Sequence, residues 1–449
     1  MLKAGTIEKT ITPEIGIELC GYLARIQPSV ACYDELYAKV LYVENAGARV
    51  IWIHCDLIGF SNEIASRIRK SVSDKTALKI NDVFLSATHN HAGPATVRLR
   101  KCGDIDLKYM DFLERSIIEG AVAAVRDAET VTLRSGEAAV EHIAVDRRPP
   151  SKNSHVDTKL PVLAFCRNDG SFKAIITNYA MHNVGLSSNN RSISADIAGF
   201  AAKFATSRIS GKPTIFLTNG GCGNVNPAII RDDYSGVEYV GTILGNAIIQ
   251  AATVLKPCTE DCIESRFSEF DLPLDTLSTT QLEKIIEKDR LSHSTLDDSY
   301  EINRLHRVLN IWYEETRYLL ANKQAPHSIS AKVHILQIGP VTFVGINAEV
   351  FSKMAEQLRQ TTGFESLYVV GYADGCIGYL APLEIHREGG YEINEAYKYY
   401  GFFGLKAGGF EMIRDKVQTM LNQKQKYAER DALKKSNFFR AENIKTEFS

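Results

Sequence analysis

The sequence predicts an α/β protein built on mixed β-sheets flanked by helices. Short β-type runs alternate with helical ones along most of the 449 residues. A tight-hairpin signal, Asn168-Asp169-Gly170, coexists with helices long enough to cross between parallel strands, so antiparallel and parallel pairs share sheets. Composition agrees with a folded chain: 45% of residues are hydrophobic and 24% charged.

Each element follows from its pattern. Val50-Ile51-Trp52-Ile53-His54-Cys55 is an apolar, β-branched run and reads as a strand, followed by an amphipathic helix over 62–72. Asp82-Val83-Phe84-Leu85-Ser86 reads as a second strand, and 109–126 as a helix with apolar residues three and four apart. The runs 162–165 and 173–177 flank the hairpin turn, and 213–217 leads into a glycine-rich loop. The stretch 236–255 reads as a buried helix: it is apolar, but Asn246 and Gln250 interrupt it. Residues 280–323 carry charge and helical periodicity and read as a helical hairpin inserted between strands, either a cap over a site or an exposed excursion. Strands return over 332–338 and 341–346. No internal repeat is visible. The expected organisation is one domain over 1–425 with that insertion, and a charged tail over 426–449.

Charge narrows the function. Lys plus Arg number 52 against 54 Asp plus Glu, a net charge of −2, which gives no electrostatic case for nucleic acid or anionic membrane as the main partner. The first residues lack the apolar core of a secretory signal, and no run of 18 apolar residues forms a transmembrane segment. Nine scattered cysteines fit reduced thiols and a cytoplasmic setting. The expected partner is a small molecule, and the sequence is compatible with a homo-oligomer.

Five segments can carry chemistry. His89-Asn90-His91-Ala92-Gly93-Pro94 closes a predicted strand, whose two-residue period would put both imidazoles on one face at the mouth of a sheet. Neutral imidazole is the commonest metal ligand, though a bare His-x-His is as compatible with chance. Asn178 to His182 follows another strand; alone, His182 reads better as a satisfied polar residue than as a ligand. In Gly220-Gly221-Cys222-Gly223-Asn224-Val225-Asn226-Pro227 the glycines let backbone N–H groups approach a ligand, or simply form a turn; no P-loop spacing is present. Glu349 follows an apolar strand and precedes a helix start, where a solvated carboxylate is also ordinary. Tyr379 and Tyr391 lie twelve residues apart in glycine-rich loops.

Taken in order, these segments resemble the catalytic domain of the neutral (non-lysosomal) ceramidase family of zinc amidases. His89-Asn90-His91-Ala92-Gly93-Pro94 is similar to the family's His-x-His-x-Gly-Pro, which implies that His89 binds zinc and His91 is the general acid/base. The resemblance further implies His182, Glu349 and Tyr379 as the remaining zinc ligands and Tyr391 as an active-site phenol. Arg147-Arg148-Pro149-Pro150 aligns with the family's arginine segment and places that role on Arg148. Asp196-Ile197-Ala198-Gly199-Phe200 resembles a family helix start. The implied activity is Zn2+-dependent cleavage of an N-acyl amide bond by metal-activated water.

Two departures bear on substrate. Where the family has Gly-Asp-x-Ser-Pro, this chain has Gly223-Asn224-Val225-Asn226-Pro227, so Asn226, with Gly221 and Gly223, is expected to bind substrate without supplying a nucleophile. The chain also ends where family ceramidases continue into an immunoglobulin-like domain. Both favour an N-acyl substrate other than membrane ceramide. The alternatives are an esterase using the same centre, or a non-catalytic descendant that binds metal.

Overall fold

The structure, a computed structural model, describes residues 1–293, 300–401 and 403–422. The predicted tail over 426–449 lies outside them. Three mixed sheets dominate, and each is built the same way. In the first, Lys3–Thr10, Tyr37–Asn45 and Ala48–Cys55 run antiparallel in turn, and the helix Asn62–Thr76 crosses to Val83–Ala87, which lies parallel to Ala48–Cys55. The second repeats this order with Thr132–Ala139, Lys159–Cys166 and Phe172–Tyr179, the helix Asp196–Thr206, and parallel Thr214–Asn219. The third repeats it again with Ile263–Pro273, Ser328–Ile338 and Val341–Ile346, the helix Lys353–Thr362, and parallel Leu367–Val370. The sequence shows no such repeat because the shared feature is topology, carried by patterning rather than residue identity.

Packing explains the patterning. Each sheet lays helices on one face: Ile68, Val72, Leu113 and Ile117 pack against Val40, Ile53 and Leu85 of the first, and Ala201 and Ile248 against Ile175 and Ile215 of the second. The other faces share one core, where Trp52 and Phe84 meet Phe165 and Phe216 of the second sheet and Phe343 and Val370 of the third. Phe84 is central to it: its ring centroid lies 4.7 Å from that of Trp52, and a Cβ on Gly345 would fall 2.6 Å from it. Strands buried on both faces therefore read as continuous apolar runs.

Polar side chains stitch the sheets together near the C-terminal strand ends. His54 places Nδ1 2.9 Å from Ser86 Oγ and Nε2 3.0 Å from the Leu217 carbonyl of the second sheet. Lys39 donates to the Ile215 carbonyl at 2.9 Å, Asn178 to Val369 at 3.1 Å, and Asn219 to Thr88 at 2.7 Å. Between first and third sheets, Asp374 accepts from the Leu85 N–H at 3.0 Å and pairs with His334 at 2.6 Å. Such buried groups hold the sheets in register because a partnerless polar atom there costs about 1–3 kcal/mol.

The helices Thr279–His293 and Tyr300–Ala321 join the antiparallel strands Ile263–Pro273 and Ser328–Ile338. They are not an exposed excursion: Leu282, Ile286, Leu309 and Trp312 form a small core of their own. Among the described residues no helix is long and apolar enough to cross a membrane, and all nine cysteines are free thiols.

Replacing Phe84 by Ala is expected to cost about 3–5 kcal/mol of unfolding free energy in urea, the range for a buried aromatic. A pH dependence follows from His54, which burial, aided by Lys39, pushes down to about 3 from an ordinary 6.5. The unfolded chain then binds a proton that the folded chain refuses, so stability falls as pH drops from 6.5 toward 3, by about 1.4 kcal/mol per unit. The difference between wild type and His54→Gln over that range isolates the effect; parallel curves would refute it.

A candidate metal centre

Six loops leave the C-terminal ends of the three parallel pairs, and they meet at one place. The first unit supplies His89 after Val83–Ala87, and Ile58 after Ala48–Cys55. The second supplies His182 after Phe172–Tyr179, and Cys222 after Thr214–Asn219. The third supplies Glu349 after Val341–Ile346, and Tyr372 after Leu367–Val370. Each unit thus gives one metal-type donor and one group that orients it.

The orienting bonds set the protonation. His89 Nδ1 lies 2.9 Å from the Ile58 carbonyl, and His182 Nδ1 lies 2.7 Å from the Cys222 carbonyl and 3.1 Å from that of Val225. A carbonyl only accepts, so both Nδ1 atoms carry the proton and both Nε2 lone pairs are bare. Those Nε2 atoms point at Glu349 Oε2, at 3.3 Å for His89 and 3.5 Å for His182. Burial pushes His182 down to about 4, against the pull of Glu349, so the ring is neutral at pH 7. Glu349 accepts hydrogen bonds from the hydroxyls of Tyr400 at 2.6 Å and Tyr372 at 3.3 Å, which favour its carboxylate form. Two bare nitrogens and a carboxylate oxygen facing one another, with ligand atoms all within 4.8 Å, repel unless a cation sits among them. Imidazole and carboxylate donors in this number suit a divalent transition metal, zinc included.

The His-x-His pair reaches this point by a route other than strand periodicity. The strand ends at Ala87, and His89 adopts a left-handed φ of 56°. Asn90 accepts from the Ala92 N–H at 2.8 Å and donates to the Ser194 carbonyl at 2.6 Å, closing a side-chain turn that brings His91 back. His91 Nε2 then lies 3.1 Å from His89 Nε2. Its Nδ1 is buried without a hydrogen-bond partner, and burial, with His89 and His182 adding to it, lowers its pKa well below the ordinary value. Gly21 admits the ring: its φ is +106°, and a Cβ there would fall 2.5 Å from His91 Cγ.

Tyr379 is the Cα partner of Glu349 in the parallel pair Glu349–Val350 and Tyr379–Leu380, so its side chain leaves on the same face. Tyr391 packs edge-on to it, ring centroids 6.0 Å apart. Beside them a cavity of about 540 Å³ is lined by residues including Arg147, Arg148, Pro149, Pro150 and Tyr391.

Arg147 and Arg148 both line this cavity, and they are held differently. Arg148 donates to Glu392 at 2.6 Å and to the Gly389 carbonyl at 2.8 Å. Its neighbour Arg147 has its guanidinium carbon 5.3 Å from the Tyr379 ring centre and 5.9 Å from that of Tyr391, and its buried Nη2 lacks a partner. The glycines of the loop after Thr214–Asn219 pack closely on the strand that carries Glu349. A Cβ on Gly223 would fall 2.6 Å from the Glu349 carbonyl, and one on Gly221 2.9 Å from that of Phe351. The Gly223 N–H is bonded to the Val350 carbonyl at 2.8 Å, so this residue helps to seat the Glu349 strand. Asn224 does the same work, bonding Asp146, the His155 carbonyl and the Ser352 N–H. Asn226 differs: its Oδ1 is buried with no partner.

Two phenols escaped the sequence reading. Tyr372 stacks on His89 with ring centres 4.0 Å apart and its hydroxyl 3.3 Å from Glu349 Oε2, while Tyr400 donates to Glu349 Oε1 at 2.6 Å. Neither sits in a spacing motif.

Comparison with known proteins agrees with this architecture. Residues 3–219 match the family profile described as neutral/alkaline non-lysosomal ceramidase, N-terminal. The chain is 23% identical over 249 residues to the neutral ceramidase of Pseudomonas aeruginosa, a match covering 50% of this chain and 36% of that protein. It is also 23% identical over 218 residues to neutral ceramidase B of Dictyostelium discoideum, covering 44% of this chain and 30% of that protein. The chain thus spans about a third of the length of these curated relatives. The crystal structure of the Pseudomonas aeruginosa neutral ceramidase shares the fold, with a TM-score of 0.71 at 15% identity over 94% of this chain and 75% of that one. Residues 3–219, just under half of the chain, thus resemble this family, and the Pseudomonas aeruginosa structure shows that the fold is shared.

Proposed function

We propose that the protein is a zinc-dependent amidohydrolase that cleaves the amide bond of an N-acyl compound. The observation that carries this is the convergence of two bare imidazole nitrogens on Glu349 Oε2, with a third imidazole, His91, at 3.1 Å from His89. His89, His182 and Glu349 would hold the metal, and the phenol of Tyr379 would complete the set from the same face as Glu349. Bound there, zinc supplies a water acidic near pH 7 rather than about 15.7, and a Lewis acid for the carbonyl.

The rest of the chemistry belongs to side chains. His91, its Nε2 3.1 Å from that of His89, accepts the proton of the attacking water and returns it to the leaving amine, worth roughly 10²–10⁴-fold. Arg147 and Tyr391 face the cavity and stabilise the charge that develops on the amide oxygen, about 3–4 kcal/mol for a well-placed donor. Arg148 serves one step back, holding Glu392, which in turn bonds Arg147 at 3.0 Å. The unpaired Oδ1 of Asn226 is an acceptor suited to a substrate N–H, and its amide supplies no nucleophile.

His182→Ala is expected to lose both bound zinc and activity in a metal analysis coupled to amine release from N-acyl substrates, whereas His91→Ala keeps the metal and loses turnover. Activity surviving in metal-free His182→Ala protein would end the proposal, and a preference for esters across paired ester and amide substrates would reassign the reaction. Arg147→Met is expected to lower kcat about 10²–10³-fold, more than Arg148→Met; the reverse order would return the role to Arg148.

A further inference from the structure

Glu349 presents two oxygens, and they do different work. Oε2 faces the imidazoles, whereas Oε1 accepts a 2.6 Å hydrogen bond from Tyr400. The terminal torsion of a glutamate is soft, so a single anchored oxygen leaves the plane of the carboxylate free to rock, while a second anchor fixes it. Tyr400 ends the helix Ala396–Tyr400, which has only five residues. A helix that short has no stability of its own. Its position must be imposed from outside.

What imposes it is the helical insertion. Lys398, 1% exposed, donates to Asp289 of Thr279–His293 at 2.9 Å and to Glu395 at 2.7 Å. Asp289 also accepts from the Tyr313 hydroxyl of Tyr300–Ala321, and Trp312 packs edge-on to Tyr397 at 5.6 Å. From the loop beyond His91, Arg100 donates from its backbone to the Tyr399 carbonyl at 2.9 Å and from its guanidinium to that of Lys398 at 2.7 Å, and it pairs with Glu315 of the insertion. Gly401 makes room for that guanidinium: its φ is +79°, and a Cβ there would fall 2.4 Å from Arg100 Nη1. A buried ion pair is weak as a source of stability but strict about geometry.

We infer that Tyr400 is a positioning residue for Glu349 and that the insertion, gripping its helix through Lys398 and Asp289, sets the affinity of the metal centre. The inference rests on the reading of His89, His182 and Glu349 as a metal triad.

The test uses the full chain, zinc, and cobalt as a spectroscopic probe. Tyr400→Phe removes one oxygen and keeps the ring; zinc affinity by chelator competition is expected to fall about 10–100-fold, with a shifted cobalt absorption spectrum and thermal stability of the metal-free protein little changed. Lys398→Met is expected to weaken zinc binding in the same direction. The double variant should lose less than the two losses combined, because both act through one hydrogen bond. Should Lys398→Met not fold, Asp289→Asn takes its place. Wild-type zinc affinity and an unchanged cobalt spectrum in Tyr400→Phe overturn the positioning role and leave the triad standing. Losses that simply add overturn the link to the insertion. Wild-type protein that binds no zinc overturns the triad itself.

Discussion

Two imidazole lone pairs and a carboxylate oxygen are forced toward one point, and much of the architecture serves to hold that unfavourable arrangement. Left alone, a buried His–Glu pair would relax by protonating an imidazole and sharing the proton. Here the Ile58 and Cys222 carbonyls claim the Nδ1 protons, and burial resists adding a second proton to His182. The result is a site whose electrostatics ask for a cation. Both carbonyls belong to loops of the same unit as the histidine they orient, so each βαβ pair pre-sets its own donor before the three units meet.

The threefold recurrence of one strand order gives this a structural logic. Each unit ends in a parallel pair, and the C-terminal ends of such pairs are where α/β proteins collect ligands. Stacking three units about the core of Trp52, Phe84, Phe165, Phe216 and Phe343 brings three such ends together. The join is costly for the backbone. His89, Asp196, Tyr372 and Asp374 all adopt left-handed φ between 54° and 57°, though none is glycine. Strain of this kind costs about 1–3 kcal/mol at each residue and persists only where surroundings over-determine it. Asp196 bonds the N–H groups of Gly185 and Leu186 in the loop after His182, Asp374 bonds Leu85 and His334, and Tyr372 lies flat on His89.

Around this centre the supporting residues come from far along the chain. The glycine-rich loop seats the Glu349 strand, the Arg147-Arg148 segment meets Glu392, and the helical insertion reaches Glu349 through Lys398 and Tyr400. The insertion therefore acts as an outer brace of the site, which a reading of it as an exposed excursion would miss.

The sequence by itself determined the fold class and many of the strands and helices, and its resemblance to a family pointed to His89, His182 and Glu349. It could do so because strand and helix periodicity is local, and because histidines and glutamates after apolar strands keep their place in chain order. It leaves the strands Lys3–Thr10, Tyr37–Asn45, Thr132–Ala139, Ile263–Pro273 and Leu367–Val370 unmarked. Only the tertiary structure decided which partners Arg147 and Arg148 take, which nitrogen of each histidine is bare, that Gly221 and Gly223 pack against the Glu349 strand, and that Tyr372 and Tyr400 orient Glu349. These depend on side-chain directions in loops, where no period applies, and on partners 20 to 290 residues away. The threefold topology was hidden for a related reason: hydrogen-bonded strand order is a property of backbone pairing, and dissimilar residues satisfy it equally well.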